Sequence, residues 1–175
     1  PGTVAGTSGQ SSCTSCPAGT YQSSGGATDC VQCGLTGGYC GEGASAVTLC
    51  PAGRYSGTSG LSSVEGCLKC PIGSYCRTGS TSPALCSTGT YADQPNTEEC
   101  SACAGGKYQS ASGMSACIDC PAGSYCEEGA SAALPCEGWW LGGAGSRSGC
   151  GLRSTRPRLA APPKTGHGRR RPGPL

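Results

Sequence analysis

A chain of 175 residues with no Phe, one Met, two Trp and 32 Gly lacks the large side chains that fill a conventional packed core. Little apolar area is available to offset the conformational entropy lost on folding, so the composition argues against an ordinary globular core. Seventeen cysteines supply cross-links instead, and the net charge of +2 combines a mildly acidic region, residues 1–146, with a basic one, residues 147–175.

The cysteine content also predicts where the protein resides. Disulfide scaffolds persist in oxidising compartments, so we expect an extracellular or cell-surface protein. The sequence shows no signal peptide and no apolar run of membrane length, and it begins inside a repeated pattern. We therefore expect a fragment or processed piece of a surface or secreted protein.

One phrase recurs along the chain: a cysteine, then a glycine, then a tyrosine two residues after the glycine. Pro1-Gly2-Thr3-Val4 looks like this phrase without its leading cysteine, and the clearest full copy runs from Cys117 to Cys126 and closes at Cys136. Such self-similarity indicates a repeat architecture. Units open at Cys16, Cys33, Cys50, Cys70, Cys86, Cys103, Cys120 and Cys136.

Each unit is expected to contain a tight turn, a short extended piece around the tyrosine and a solvated loop. No segment shows the periodicity of an amphipathic helix. The predicted fold is a small disulfide-rich array of short irregular β-hairpin and loop units, with almost no helix and no large core. It covers residues 1–150, and residues 151–175 form a basic tail rich in Pro, Gly and Arg.

The simplest disulfide pairing closes each unit on itself. It leaves only Cys13, whose partner would be a residue preceding Pro1, so Cys13 is predicted to be unpaired in this fragment. An alternative joins neighbouring units by interlocked disulfides, for example Cys67–Cys76 with Cys70–Cys86. This alternative leaves Cys100 and Cys103 without partners. The predicted pairs are Cys16–Cys30, Cys33–Cys40, Cys50–Cys67, Cys70–Cys76, Cys86–Cys100, Cys103–Cys117, Cys120–Cys126 and Cys136–Cys150.

Zinc binding is the rival use of these cysteines. The Cys-x2-Cys pairs at 13/16 and 30/33 have the spacing of a four-thiolate zinc site, and those at 100/103 and 117/120 repeat it. Against zinc, cysteines such as Cys40 and Cys126 would then have no role, and the only histidine, His167, lies in the tail. We therefore favour disulfides and expect no metal and no cofactor.

The tyrosines need a structural or a binding role. We favour the hypothesis that each ring covers a disulfide or the joint to the next unit, because repeat units usually use their aromatic residues for stacking. The competing hypothesis is a row of binding residues on one face. The seven positions are Tyr21, Tyr39, Tyr55, Tyr75, Tyr91, Tyr108 and Tyr125.

The phrase Cys-Pro-x-Gly-x-Tyr with a thirteen-residue cysteine spacing resembles the ephrin-receptor-like, or GCC-type, cysteine-rich repeat. That repeat belongs to a wider group with the growth-factor-receptor and tumour-necrosis-factor-receptor cysteine-rich modules. The resemblance spans roughly residues 1–138 and is closest at 121–136. It implies an elongated, extracellular, non-catalytic array, and no ligand-binding residues carry over. The units that open at Cys33, Cys86 and Cys103 depart from it by lacking the proline.

The tail after residue 150 is expected to be disordered. Weak contact with a polyanion through Arg169, Arg170 and Arg171 is one interpretation. We favour a solvated tail, or sequence read past a splice or frame change, because Arg153 stands where the pattern calls for a cysteine.

Catalysis is disfavoured because the array contains no histidine for a nucleophile–base pair. Two functional classes then remain: a structural or adhesive spacer of a surface or secreted protein, and a receptor-type ectodomain that binds a protein ligand. Loops of Ser, Thr, Gly and Ala favour the spacer and are candidate sites for O-linked sugar. We expect protein or glycan partners at a cell surface or in matrix, and no nucleic acid.

Overall fold

The computed structural model describes residues 1–7 and 10–136. In these residues the regular structure consists of sixteen two-residue strands and one short 3₁₀ helix, Val64–Gly66. The strands are β1 Thr3–Val4, β2 Thr14–Ser15, β3 Thr20–Tyr21, β4 Val31–Gln32, β5 Gly38–Tyr39, β6 Thr48–Leu49, β7 Arg54–Tyr55, β8 Leu68–Lys69, β9 Ser74–Tyr75, β10 Ala84–Leu85, β11 Thr90–Tyr91, β12 Ser101–Ala102, β13 Lys107–Tyr108, β14 Ile118–Asp119, β15 Ser124–Tyr125 and β16 Leu134–Pro135.

Each odd-numbered strand pairs antiparallel with the strand that follows it, so the described chain contains eight separate hairpins. We call each hairpin with its preceding turn a unit. Together the hairpins confirm the predicted fold class, a disulfide-rich tandem array with almost no helix and no large core. Units 1 to 8 comprise residues 1–15, 16–32, 33–49, 50–69, 70–85, 86–102, 103–119 and 120–135.

The repeated phrase forms the turn that starts each hairpin. In unit 2 the Thr20 N–H donates to the Pro17 carbonyl at 3.0 Å, and Gly19 has φ +88°. A positive φ at the third residue of a four-residue turn is the type II geometry, which favours glycine. The turn directs Tyr21 into β3, where it lies opposite Val31 of β4.

The interior of the array is built mainly from half-cystines. Among the residues that the structure describes, ten cysteines are buried, eight of them with no exposed surface. The residue that follows each tyrosine is buried as well, whatever its chemistry. These residues are Gln22, Cys40, Ser56, Cys76, Ala92, Gln109 and Cys126.

Unit 4 departs from the others in the length of its loop. The 3₁₀ helix Val64–Gly66 lies in this loop, and the Cys67 N–H donates to the Val64 carbonyl at 3.0 Å. The Leu61 side chain lies so close to Gly66 that a Cβ there would come within 2.9 Å of it. The helix therefore compacts an insertion before the chain enters β8. The predicted tail, residues 151–175, lies outside the described residues.

Candidate functional site

The sulfur atoms of the predicted pairs lie together inside single units. Four disulfides of the described residues enclose most of a hairpin: Cys16–Cys30, Cys50–Cys67, Cys86–Cys100 and Cys103–Cys117. Three others close a short loop: Cys33–Cys40, Cys70–Cys76 and Cys120–Cys126. None of these seven bonds joins two units. We call units with the first kind long units and units with the second kind short units.

Two predicted cysteine positions stand apart from these seven pairs. Cys136 is disulfide-bonded, but its predicted partner Cys150 lies outside the described residues. Cys13 is free and exposed. Cys16, Cys30 and Cys33, which have zinc-like spacing with Cys13, are held in two disulfides. Within the described ranges no cluster of His, Cys, Asp or Glu has the arrangement to hold a metal ion.

Successive units are connected by backbone hydrogen bonds, and the same three bonds recur. At the joint of units 2 and 3, the Gly19 N–H donates to the Cys40 carbonyl at 2.8 Å. The Gln22 N–H donates to the Ala44 carbonyl at 3.0 Å, and the Gly43 N–H returns to the Cys16 carbonyl at 2.8 Å. Equivalent triplets occupy every joint from units 2/3 to units 7/8. Because only main-chain atoms take part, the joint does not depend on the loop side chains.

The third bond of each triplet comes from a second turn in the receiving unit. Its donor has a positive φ in every case: Gly43, Gly60, Gly79, Asn96, Gly113 or Gly129. Asn96, at φ +63°, is the only non-glycine residue with a positive φ in the described chain. Asn tolerates the left-handed region better than most residues, which explains why it can occupy a glycine position.

Contacts also reach past the adjacent unit to the one after it. Gly73 of unit 5 lies against the main chain of unit 7, where an added Cβ would come within 2.8 Å of the Gly113 carbonyl carbon. Gly53 has the same relation to Asn96, and Gly89 to Gly129, each at 2.9 Å from the carbonyl carbon. The motif glycine therefore serves two purposes, a positive φ and a close approach of two main chains. The sequence pattern predicts only the first of these two roles.

The buried residue after the tyrosine connects the loop in two of the long units. The Gln22 side chain donates to the Asp29 carbonyl at 2.7 Å and accepts from the Ser24 N–H at 3.0 Å. Gln109 makes the same two contacts, to Ala116 at 2.7 Å and Ala111 at 3.1 Å. In short units this position is the second half-cystine, so an amide side chain and a disulfide occupy equivalent sites. The sequence signal for this buried position is a Gln or Cys directly after the tyrosine.

The seven tyrosines are all half-buried, and each lies in the first strand of its hairpin. Tyr55 lies opposite Leu68, and Tyr108 lies opposite Ile118. The positions that lose all contact with solvent are the cysteines beside them rather than the rings. The preference for stacking of the rings over binding of a partner stays a prediction.

In the described part of the chain, charged groups make few contacts with one another. Lys107 forms an ion pair with Asp119 across the unit 7 hairpin, and Arg54 donates to the Cys67 carbonyl at 2.9 Å. A hydrogen bond from Ser63 lowers the pKa of Glu65, an exposed carboxyl in the unit 4 loop. That favourable contact is present above the ordinary glutamate pKa and is lost as the pH falls through the lowered value.

The surface of the array carries exposed aliphatic side chains on its second strands. Leu85 is 65% exposed, and together with Tyr75, Arg77 and Glu99 it lines a shallow open groove. The Arg77 guanidinium carbon lies 5.8 Å from the centre of the Tyr75 ring. Other aliphatic side chains of second strands with about half of their surface exposed are Val31, Leu49, Leu68, Ile118 and Leu134.

Residues 2–50 and 89–136 match the protein family described as tyrosine-protein kinase ephrin type A/B receptor-like. The stretch between the two matched segments, residues 51–88, contains the extended loop of unit 4, yet its joints carry the same hydrogen bonds. No curated protein matches the chain significantly. In the part of the chain that the structure describes, no helix has the length and apolar character needed to cross a membrane.

Proposed function

Because the chain belongs to this ephrin type A/B receptor-like family, whose disulfide-rich repeats are typical of extracellular domains, we propose that it is a structural and adhesive spacer of a surface or secreted protein. The observation that carries the proposal is the joint: the same three main-chain hydrogen bonds recur at six successive joints. An array whose neighbours meet in one constant way advances by a constant step, so its length follows from its number of units.

The side chains of the array support a role that depends on length rather than on chemistry. The loops consist largely of Ser, Thr, Gly and Ala, and the tightly constrained positions are cysteines and glycines. The disulfides inside units 2 to 8 reduce the entropy of the unfolded chain, and so stabilise units that have very little apolar core. Such a chain stays folded in an oxidising compartment, and its fold requires few particular side chains on the surface.

A length series tests the spacer. The oxidised chain is compared with variants that lack unit 6 (residues 86–102) or units 6 and 7 (residues 86–119), and the maximum dimension is measured by small-angle X-ray scattering. We expect the dimension to fall by equal steps, with disulfide mapping as the control for correct pairing. A dimension that does not change with unit number would contradict the proposal.

A receptor-type ectodomain that binds a protein ligand is the second candidate, and the exposed aliphatic side chains favour it. Burial of apolar surface is the dominant favourable term in most protein–protein association, and Leu85 and Leu68 are 65% and 57% exposed. The test is saturable binding of the tagged array to cells. If Leu85→Glu abolishes such binding and Thr78→Glu, at an exposed control site, does not, the receptor function is favoured.

A further inference from the structure

The two kinds of unit differ in which residues their disulfide encloses. In long unit 2, Cys30 directly precedes β4, so the Cys16–Cys30 bond encloses the whole loop of the hairpin. In short unit 3, the Cys33–Cys40 bond closes before the loop begins, and residues 41–49 lie outside any disulfide. Residues 77–85 of unit 5 and 127–135 of unit 8 lie outside in the same way.

This difference determines how the chain carries tension between its ends. In a long unit the tension crosses the disulfide, and the enclosed loop bears no load. In a short unit the tension must follow the main chain through the nine residues of the open segment. We propose that the three short units are extensible elements, whose hairpins open under tension and release a fixed length while the long units stay closed. This inference rests on the proposed spacer function.

The length released follows from the strand register. Tyr39 lies directly opposite Thr48, Tyr75 lies opposite Ala84, and Tyr125 lies opposite Leu134. Residues paired in this way are about 5 Å apart, and nine residue steps span about 30 Å when extended. Each hairpin therefore releases about 25 Å, and the three together about 75 Å.

The contacts that resist opening are few and reversible. In unit 3 they include the two-residue strand pair, the Gln22–Ala44 and Gly43–Cys16 backbone hydrogen bonds, and the packing of the Val47 and Leu49 side chains. The Cys33–Cys40 bond stays intact, so the segment can close again onto a preformed turn. Short strands with small exposed side chains open locally at low cost compared with a packed core.

The chain itself suggests a matched variant that removes one extensible element. Val47 occupies the place in unit 3 that Cys30 has in unit 2: it is half-buried, directly precedes the second strand and lies 14 residues after the opening cysteine. Its side chain lies so close to Gly38 that a Cβ there would come within 2.6 Å of it. In Cys40→Gln/Val47→Cys, residue 40 takes the role of Gln22, and Cys33 can pair with the thiol introduced at position 47.

The experiment is single-molecule extension of the oxidised chain, held through the exposed thiol of Cys13 and the C-terminus. We expect three reversible steps of about 25 Å in the original chain and two in Cys40→Gln/Val47→Cys. Reduction should convert the trace to one longer extension. Steps as long as a long-unit loop, or an equal number of steps in both proteins, would overturn the inference.

Two further measurements separate the outcomes. Disulfide mapping verifies the bond between Cys33 and the introduced cysteine, and Cys76→Gln/Pro83→Cys repeats the design in unit 5 if the first variant does not fold. Hydrogen exchange of the unmodified chain gives an independent reading, since amides of residues 41–49 should exchange before those of residues 22–29. If the maximum dimension in the scattering length series does not depend on the number of units, the spacer function is wrong. If that dimension falls by equal steps but the extension trace lacks the expected opening steps, only the proposal of extensible elements is wrong.

Discussion

The motif glycine shows how one residue can satisfy two separate requirements. A positive φ alone makes glycine the best residue at this position, and the main chain of the unit after next removes the space for a Cβ. The two requirements can be separated because Gly73 and Gly123 have nearly the same φ, +77° and +80°, while no described atom lies within 4 Å of a Cβ built on Gly123.

Gly73→Ala should therefore destabilise the protein more than Gly123→Ala. Both variants carry the left-handed penalty for alanine, roughly 1–2 kcal/mol, and only Gly73→Ala must also displace the Gly113 main chain. The urea midpoint of the oxidised proteins measures the difference. Equal midpoints would mean that the contact between units 5 and 7 adds no constraint.

Gln22→Ala should loosen the loop of unit 2 without opening its disulfide. The variant removes the two hydrogen bonds that the buried amide makes to Asp29 and Ser24, a loss of about 1–3 kcal/mol. Faster hydrogen exchange at the Ser24 amide is the expected signature. Gln32→Ala, at an exposed position of β4, serves as the control and should leave that amide unchanged.

The hairpins are the elements that could be predicted from the sequence. Turn residues and the cysteine spacing placed the strands next to each tyrosine, because a glycine with positive φ followed by extended residues is a local pattern. The burial of Gln22 was not predicted, because the position after the tyrosine holds an amide in one unit and a half-cystine such as Cys40 in another. The contact of Gly73 with Gly113 joins residues forty positions apart, so no local sequence pattern indicates it.

Cleavage at Arg77 tests the pairing within units. Arg77 is exposed and lies in an open segment, whereas Arg54 lies inside the Cys50–Cys67 loop. Limited trypsin treatment of the oxidised chain should cut after Arg77 and give two fragments that separate without reductant. The interlocked alternative would keep them together, because a Cys70–Cys86 bond spans the cut. Arg77→Gln provides the control that assigns the cleavage site.

At the scale of the whole molecule, stability comes from cross-links and main-chain hydrogen bonds rather than from buried apolar area. Within residues 1–7 and 10–136, the buried side chains are half-cystines, one alanine and a few polar residues. Removing a native disulfide from a small extracellular domain costs about 2–5 kcal/mol, so the loss of several at once should leave no stable fold.

Reductant and chelator should therefore act very differently. A phosphine reductant is expected to abolish the thermal transition and make the chain sensitive to proteases, while EDTA leaves both unchanged. Circular dichroism melts with each additive measure the effect. A chain that melts earlier with EDTA would instead support the zinc sites proposed for the Cys-x2-Cys pairs.

The confinement of each disulfide to one unit has an evolutionary consequence. A deletion of residues 86–102 removes Cys86 and Cys100 together, and leaves no orphan thiol behind. The new neighbours can form the same joint, since Gly73 keeps its N–H and Gln109 offers the carbonyl that Ala92 offered before. Genes for such chains can gain or lose repeats by unequal recombination, in steps of 16 to 20 residues. Homologous chains are therefore expected to differ in repeat number more readily than in the sequence of the joint.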